Sequence, residues 1–277
     1  MKKPIIATIL YNPDISTYAR IKSAIEYGYE VYIFDNSPDV TSKLFIVENK
    51  DKVRYFTFDK NVGIGPALRL LCSTAYYEGN ENLLFFDQDT IFTKETLSFI
   101  CDYLSQSSSG ENSDKPYKLL SVTFRDTVIN RKRGIIEQIF VGKYSVNVVD
   151  FTISSGTLFS LENLKKIGWH DDSFKVDGVD YSVCISAQSA HLAIGEIFNT
   201  PGLDHESYQG NSTFSFFGKR YRGRRYSFFR IKDYVSSSLR LIFRSIKFNR
   251  KATLRLLMML IIYINKQFLL RMSKEIN

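Results

Sequence analysis

Only three cysteines and three histidines occur in the 277 residues. Cys72, Cys101 and Cys184 are odd in number, far apart and without metal-type spacing, which argues against a disulfide framework or a structural zinc site and fits a reducing cytosol. With His170, His191 and His205 as the sole imidazoles, no Ser-His-Asp or Cys-His arrangement stands out. Long apolar runs are scarce too: a bilayer span needs roughly 20 apolar residues, and the nearest stretch, Leu256 to Leu270, is interrupted by Asn265, Lys266 and Gln267. The apolar run after Lys2-Lys3 stops at Tyr11-Asn12-Pro13-Asp14, too short for an export signal, so the protein is expected to stay inside the cell. Acidic residues are missing from one end. Residues 214–277 hold 16 basic and 2 acidic side chains, whereas residues 1–213 hold 21 basic and 27 acidic. The overall charge of +8 therefore describes neither part, and two regions with different partners are expected. The 44% hydrophobic content excludes disorder.

What is present alternates strand and helix up to about residue 90. Ile5–Leu10, Glu30–Phe34, Val53–Phe58 and Leu83–Phe86 read as strands. Ser16–Tyr27 has helical spacing, and a helix from about Pro66 to Tyr77 follows Gly63 and Gly65. That order implies an α/β, Rossmann-like domain with a mostly parallel sheet and helices on both faces, whose ligands bind at the carboxyl ends of the strands. Farther on, residues 105–116 read as a polar surface loop, Leu119–Phe124 as a strand, 126–150 as a region able to hold a hairpin, Leu161–Ile167 as a helix and His191–Phe198 as a last core strand.

The polar residues at those strand ends carry the possible chemistry. In Leu83-Leu84-Phe85-Phe86-Asp87-Gln88-Asp89-Thr90, an apolar strand ends in two aspartates whose side chains point the same way in an extended chain. Both can converge on a hard divalent cation, or they are solvated loop residues opening a helix. Asp35-Asn36 offers a carboxylate and an amide to a base edge or ribose, or forms an Asx-turn. The amides of Asn61-Val62-Gly63-Ile64-Gly65 can lie beside a phosphate, or the glycines merely start a helix. Asp177 and Asp180 suit a general base at an acceptor hydroxyl or a helix cap. His205 is a metal ligand or a structural imidazole.

Taken in order, these pieces resemble the inverting glycosyltransferase family 2 with its GT-A fold, across roughly residues 4–210. They are Asn12-Pro13 after the first strand, Asp35-Asn36 after the second, Asn61-x-Gly63 before a helix, Asp87-Gln88-Asp89 after the fourth strand, Ser155-Gly156, Ile167-Gly168, Asp177-x-Val179-Asp180 and a late His205. Two segments, Leu83–Thr90 and Ile153–Ile185, look most like bacterial rhamnosyltransferases of surface polysaccharide synthesis. The resemblance implies a Mg²⁺ or Mn²⁺ ion held by Asp87, Asp89 and His205. It implies a nucleotide-sugar site at Tyr11, Asn12, Asp35, Asn61, Gly63, Asp87 and Gln88, and an acceptor side at Ser155 and Gly156. Asp177 would be the base, with Asp180 the other candidate because Gly178 stands where many members carry an acid. The donor would be a nucleotide sugar such as dTDP-rhamnose and the acceptor a lipid-linked glycan.

The basic end adds a second expectation. Residues 216–230, FFGKRYRGRRYSFFR, hold five arginines, a lysine and six aromatics. Beyond them Leu239, Ile242, Phe243 and Ile246 share a helical face opposite Arg240, Arg244 and Lys247. The division expected is a catalytic domain over 1–213 and a basic amphipathic helical region over 214–277. Such a helix suits an anionic membrane surface, placing the enzyme on the inner face of the plasma membrane; a helical cap and a nucleic-acid surface are the other readings. If the acids are only turn residues, the protein is a non-catalytic nucleic-acid binder. A sugar-nucleotide pyrophosphorylase is a more distant alternative, lacking the Gly-rich loop after the first strand.

Overall fold

The structure is a computed structural model and describes residues 2–38, 49–108, 118–126, 135–205, 212–216, 219–247 and 249–276. The chain forms two compact units: Met1–Lys175 with Val179–His205, and Val176–Gly178 with Glu206–Asn277.

In the first unit, strands β1 (Ile5–Leu10), β2 (Val31–Asp35), β3 (Val53–Thr57), β4 (Asn82–Phe85), β6 (Leu119–Phe124), β7 (Ile135–Val141), β8 (Tyr144–Val149), β9 (Thr157–Ser160) and β10 (Ala193–Ile197) form one sheet ordered β3-β2-β1-β4-β9-β6-β10-β8-β7. Seven of its strands share one direction; β9 and β8 run against them. β1 and β2 are near-continuous apolar runs because both of their faces are covered. Ile6, Leu10, Val31, Ile33 and Leu84 pack in one cluster with Ile21 and Ala24 of helix α1 (Ile15–Glu26) and with Leu97 and Ile100 of α3 (Lys94–Ser108). The alternate residues Ile5, Ala7, Tyr32 and Phe34 are equally buried. Helix α2 (Ile64–Tyr77) contacts β1, β2 and β4, burying Leu68, Leu71 and Cys72.

α1 starts at the Asp14 cap, whose carboxylate accepts from the Thr17 amide at 2.8 Å, and closes at Gly28, where φ is +82°. The expected loop at 105–116 begins later than the composition suggests, since α3 runs to Ser108; residues 109–117 lie outside the described residues. The hairpin anticipated within 126–150 is β7–β8. Helices α4 (Leu161–Lys166) and α5 (Val179–Ser189) and the short pair β5 (Thr90–Ile91) and β11 (Asp204–His205) complete the unit.

The second unit holds strands β12 (Ser212–Phe216), β13 (Lys219–Gly223) and β14 (Lys274–Ile276) and helices α6 (Phe228–Ser245) and α7 (Arg250–Met272). The division of the chain falls before Glu206, and residue 213 lies inside β12. α6 buries Leu241 together with Ser237, Ser238 and Ser245, three small residues that let α7 approach with Ala252, Leu256 and Leu260. Its apolar stripe therefore points outward: Phe243 is 71% exposed, and Leu239 and Ile246 are exposed as well. Arg225 binds the carbonyls of Leu270 (2.8 Å) and Ser273, closing the end of α7 where carbonyls lack helical partners. By length and composition α7 is long and apolar enough to cross a membrane, contrary to the sequence expectation, because Lys266 interrupts an otherwise apolar stretch too briefly to lower its character.

Candidate active site

The strand order turns back between β1 and β4, and the ends of β1, β2 and β4 open one crevice there. Gln88, just past β4, closes it from one side: its side-chain oxygen accepts from the Tyr11 amide at 2.8 Å and its NH₂ donates to the Tyr11 carbonyl at 3.3 Å. The Asn12 amide donates to Ser37 Oγ at 2.8 Å, and Asn12 itself sits at φ +47°. Asn36 reaches the other way, accepting from Val62 N and donating to the Gly63 carbonyl. One dipeptide after β2 thus ties together the loops after β1 and β3. Tyr11 is half exposed at the rim.

Asp35 is fully buried and accepts from Ser37 N at 2.8 Å and from the Tyr55 hydroxyl at 2.9 Å. It makes the Asx-turn, with Tyr55 an unforeseen partner. The amides that follow Asn61 are already used, and Gly63 starts a helix, the other of the two readings. The amides of Val62, Gly63 and Ile64 donate to Asn36 Oδ1, Asn61 Oδ1 and the Lys175 carbonyl, so none of the three points at a ligand. A Cβ on Gly63 would lie 2.6 Å from the Lys175 oxygen, and φ there is +93°. This glycine admits the Lys175 backbone, as Gly65 admits that of Asp171 and Phe174.

At the end of β4, the tripeptide Ser154-Ser155-Gly156 organises the acids. Ser155 Oγ accepts from the Asp87 amide at 3.1 Å and bonds Thr90 Oγ1 at 2.7 Å. Ser154 Oγ donates to Asp180. The Gly156 amide donates to the Phe85 carbonyl, and its own carbonyl accepts from Phe124 N. Expected on the acceptor side, Ser155 and Gly156 are instead buried supports. A Cβ on Gly156 would press to 2.8 Å from the Phe124 oxygen. β5 pairs with β11 so that His205 lies opposite Thr90, one residue past Asp89. The backbone of the late histidine is thereby registered against the Asp-x-Asp segment; its side chain lies outside the described residues.

Asp177 belongs to the second unit. An NH₂ group of Arg230 on α6 donates to its Oδ1 at 3.0 Å. Arg230 Nε lies 2.7 Å from Oδ2 in an ion pair that lacks hydrogen-bond geometry, so Oδ2 is buried without a hydrogen-bond donor among the described residues. Its amide donates to Asp233 Oδ2 at 3.1 Å. Burial pushes the Asp177 carboxyl above its ordinary range and Asp233 adds to this, while the Arg230 charge pulls the other way.

The comparisons with known proteins agree with this topology. No family model matches the chain. A dTDP-rhamnosyl transferase of Shigella flexneri, RfbF, is 28% identical over 196 residues, 67% of this chain and 63% of that protein, so the chain spans less than two thirds of its relative. Staphylococcus aureus TarS superposes with a TM-score of 0.59 at 14% identity, over 94% of this chain and 43% of that one. GalNAc-T7, solved with UDP, GalNAc and Mn²⁺, superposes at 0.51 with 11% identity, over 76% and 46%. The chain has the GT-A glycosyltransferase fold.

In this GT-A domain the acids after β4 are close enough to perturb one another. The Asp87 carboxyl is pushed up to about 7, by crowding from surrounding protein and then by the Asp180 and Asp89 charges. Because its side chain is exposed, water weakens the crowding, and the like charges are the cause that stands. Among the described residues no three His, Cys, Asp or Glu side chains form a ready-made cage. The oxygen donors available are the Asp87 and Asp89 carboxylates, hard ligands of the kind Mg²⁺ and Mn²⁺ take, with room left for phosphate oxygens. His170 is not among the candidates: it is fully buried against Phe159, and burial pushes its pKa down to about 3.

Sequence reasoning missed Ser154, Tyr55 and Arg230. Ser154 had a signal, two hydroxyls and a glycine just before a buried strand. The other two act across 20 and 53 residues and leave none.

Proposed function

We propose that the protein is an inverting glycosyltransferase that moves a sugar, L-rhamnose from dTDP-rhamnose, onto a hydroxyl of a lipid-linked glycan. The observation that carries the reading is the Asp87-Gln88-Asp89 loop at the β1/β4 turning point of a GT-A sheet, with Asp180 within electrostatic range and the His205 backbone in register beside it. The 28% identity to a dTDP-rhamnosyl transferase supports the donor. A bound Mg²⁺ or Mn²⁺ would supply Lewis-acid neutralisation of the diphosphate. Asp87 and Asp89 would hold it, with His205 the third ligand that the resemblance implies, and Gln88 and Ser155 fix the loop that carries the two aspartates. Tyr11 and Asn12 line the nucleotide pocket, whose shape Asp35 sets from beneath. Asp177 takes the proton of the acceptor hydroxyl as that oxygen attacks the anomeric carbon and the bond to the diphosphate breaks. Thermal melting against a panel of sugar nucleotides tests this. Melting should rise with dTDP-rhamnose and Mn²⁺ together, and much less with either alone; a response to no sugar nucleotide would sink the reading.

The second unit supports a place for that chemistry at the inner membrane face. α6 turns Leu239, Phe243 and Ile246 outward beside Arg240, Arg244 and Lys247, a surface suited to anionic headgroups. α7 suits lying in the interface rather than spanning it. The amide of Gln267 is bonded to Tyr226 N and the Arg224 carbonyl, and Arg271 binds the Tyr226 carbonyl. These bonds hold the middle and end of the helix to a basic segment that a bilayer core would not accept. The full chain should float with vesicles containing phosphatidylglycerol and not with purely zwitterionic ones, and Leu239→Ser with Phe243→Ser should abolish flotation. Equal flotation of that variant would refute α6 as the contact.

A further inference from the structure

We propose that Arg230 is a positioning residue of the transfer reaction, holding Asp177 ionised and aimed. The inference rests on the reading of Asp177 as base. The guanidinium donates one hydrogen bond to Asp177 Oδ1 at 3.0 Å, and its Nε lies 2.7 Å from Oδ2 as an ion pair without hydrogen-bond geometry. Among the described residues no donor uses the lone pairs of the buried Oδ2; 18% of the Asp177 side chain is exposed. One directed guanidinium bond with a second close charge contact fixes orientation as well as charge, which a single ammonium does less well.

Arg230 is itself held in place. The Ser227 cap accepts from the Arg230 amide at 3.2 Å, placing the residue in the first turn of α6, and its guanidinium lies 5.8 Å from the centre of the Tyr226 ring. Asp233, one turn on, accepts from the Asp177 amide and fixes the backbone on which the carboxylate stands.

The surroundings make the cation necessary. The groups facing Asp177 are Arg230, Asp233 and Tyr234 of α6 and Tyr263 of α7, with Tyr234 and Tyr263 stacked at 3.7 Å between ring centres. Of these only Arg230 is positive. Without it, burial and the Asp233 charge both favour the protonated acid, which cannot accept a proton from the acceptor hydroxyl. The residues 176–178 lie in the same compact unit as α6, so the base is organised by a segment more than 50 residues later in the chain.

The sign of the effect is fixed. A base must be ionised, so its pKa sets the acid limb of the kcat profile. Loss of the cation raises that pKa, and the limb moves to higher pH. A displacement of about one pH unit lowers kcat about tenfold on the acid side.

The test uses the full-length protein. In Arg230→Gln the acid limb of kcat should move to higher pH while the donor KM and the nucleotide-dependent rise in melting temperature stay unchanged. Arg230→Lys, which restores charge without the directed guanidinium contact, should return the limb towards its original position with only part of kcat. In an Asp177→Asn background, Arg230→Gln should cause no further loss. An unshifted limb, or an equal loss in the Asp177→Asn background, overturns the proposal. Full turnover in Asp177→Asn overturns it together with the base assignment, but leaves the glycosyltransferase reading intact; only loss of nucleotide-dependent stabilisation in the unaltered protein would count against that.

Discussion

Replacing Asp89 with alanine should lower sugar transfer on the order of 10³-fold or more, the scale of losing a principal electrostatic stabiliser of the leaving group. The same change should abolish the extra melting-temperature rise that Mn²⁺ gives in the presence of nucleotide. The fold should persist, because the bonds that shape this loop are made by Gln88, Ser155 and Thr90. Asp87→Ala should hurt less on the metal side and more on the donor side, since the resemblance places Asp87 in the nucleotide-sugar site as well as at the metal. Its effect should also depend on pH. With the burial contribution discounted for its exposure, the Asp180 and Asp89 charges still push the Asp87 carboxyl above its ordinary range, so protons compete with the cation for it more than for an isolated carboxylate. Metal affinity is therefore expected to weaken as pH falls. Full transfer by Asp89→Ala, or by the unaltered protein in excess EDTA, would remove the metal from the mechanism.

What could be read in the sequence was what short-range physics dictates. The buried run Leu83–Phe86 had to be a strand, and aspartates two apart at its end had to share a face. The Asp35 turn was legible as one of two readings because an Asx-turn closes within two residues. The glycines at 63 and 65 do start a helix, as one of their two readings had it, but the reason for their being glycine was hidden. What they make room for, the backbone of residues 171–175, arrives more than 100 residues later. Helix α6 shows a further limit. Its apolar stripe, taken alone, looks like a core face, yet its neighbours pack on the serine face, where the absence of bulk allows the approach of α7. Composition identified an amphipathic helix without indicating which side would be covered. The ion pair of Asp177 with Arg230 was hidden for the same reason as the glycines, since an acid and a base 53 residues apart carry no pattern. The arginine was counted as one charge among 16.

That ion pair sharpens the second large expectation. Asp177→Asn should remove turnover by about 10²–10⁴-fold, the usual contribution of a positioned base, while nucleotide with Mn²⁺ still raises the melting temperature. Asparagine keeps the size of the side chain and one acceptor oxygen for Arg230, so a collapse of the second unit is not expected. What disappears is the site for the proton. Asp180 is the competing base, and its environment predicts a different signature. It stands at the first turn of α5, accepts from Ser154 and lies within electrostatic range of Asp87. Asp180→Asn should accordingly relieve negative charge beside the metal site and lower the apparent Asp87 pKa, altering metal affinity along with kcat. A base at Asp177 leaves metal affinity untouched when it is removed. Measuring both kcat and the Mn²⁺ concentration for half-maximal activity in the two variants separates the cases. If Asp180→Asn abolishes turnover at saturating Mn²⁺ while Asp177→Asn retains it, the base is Asp180, and the ion pair of Arg230 with Asp177 is a structural tie within the second unit.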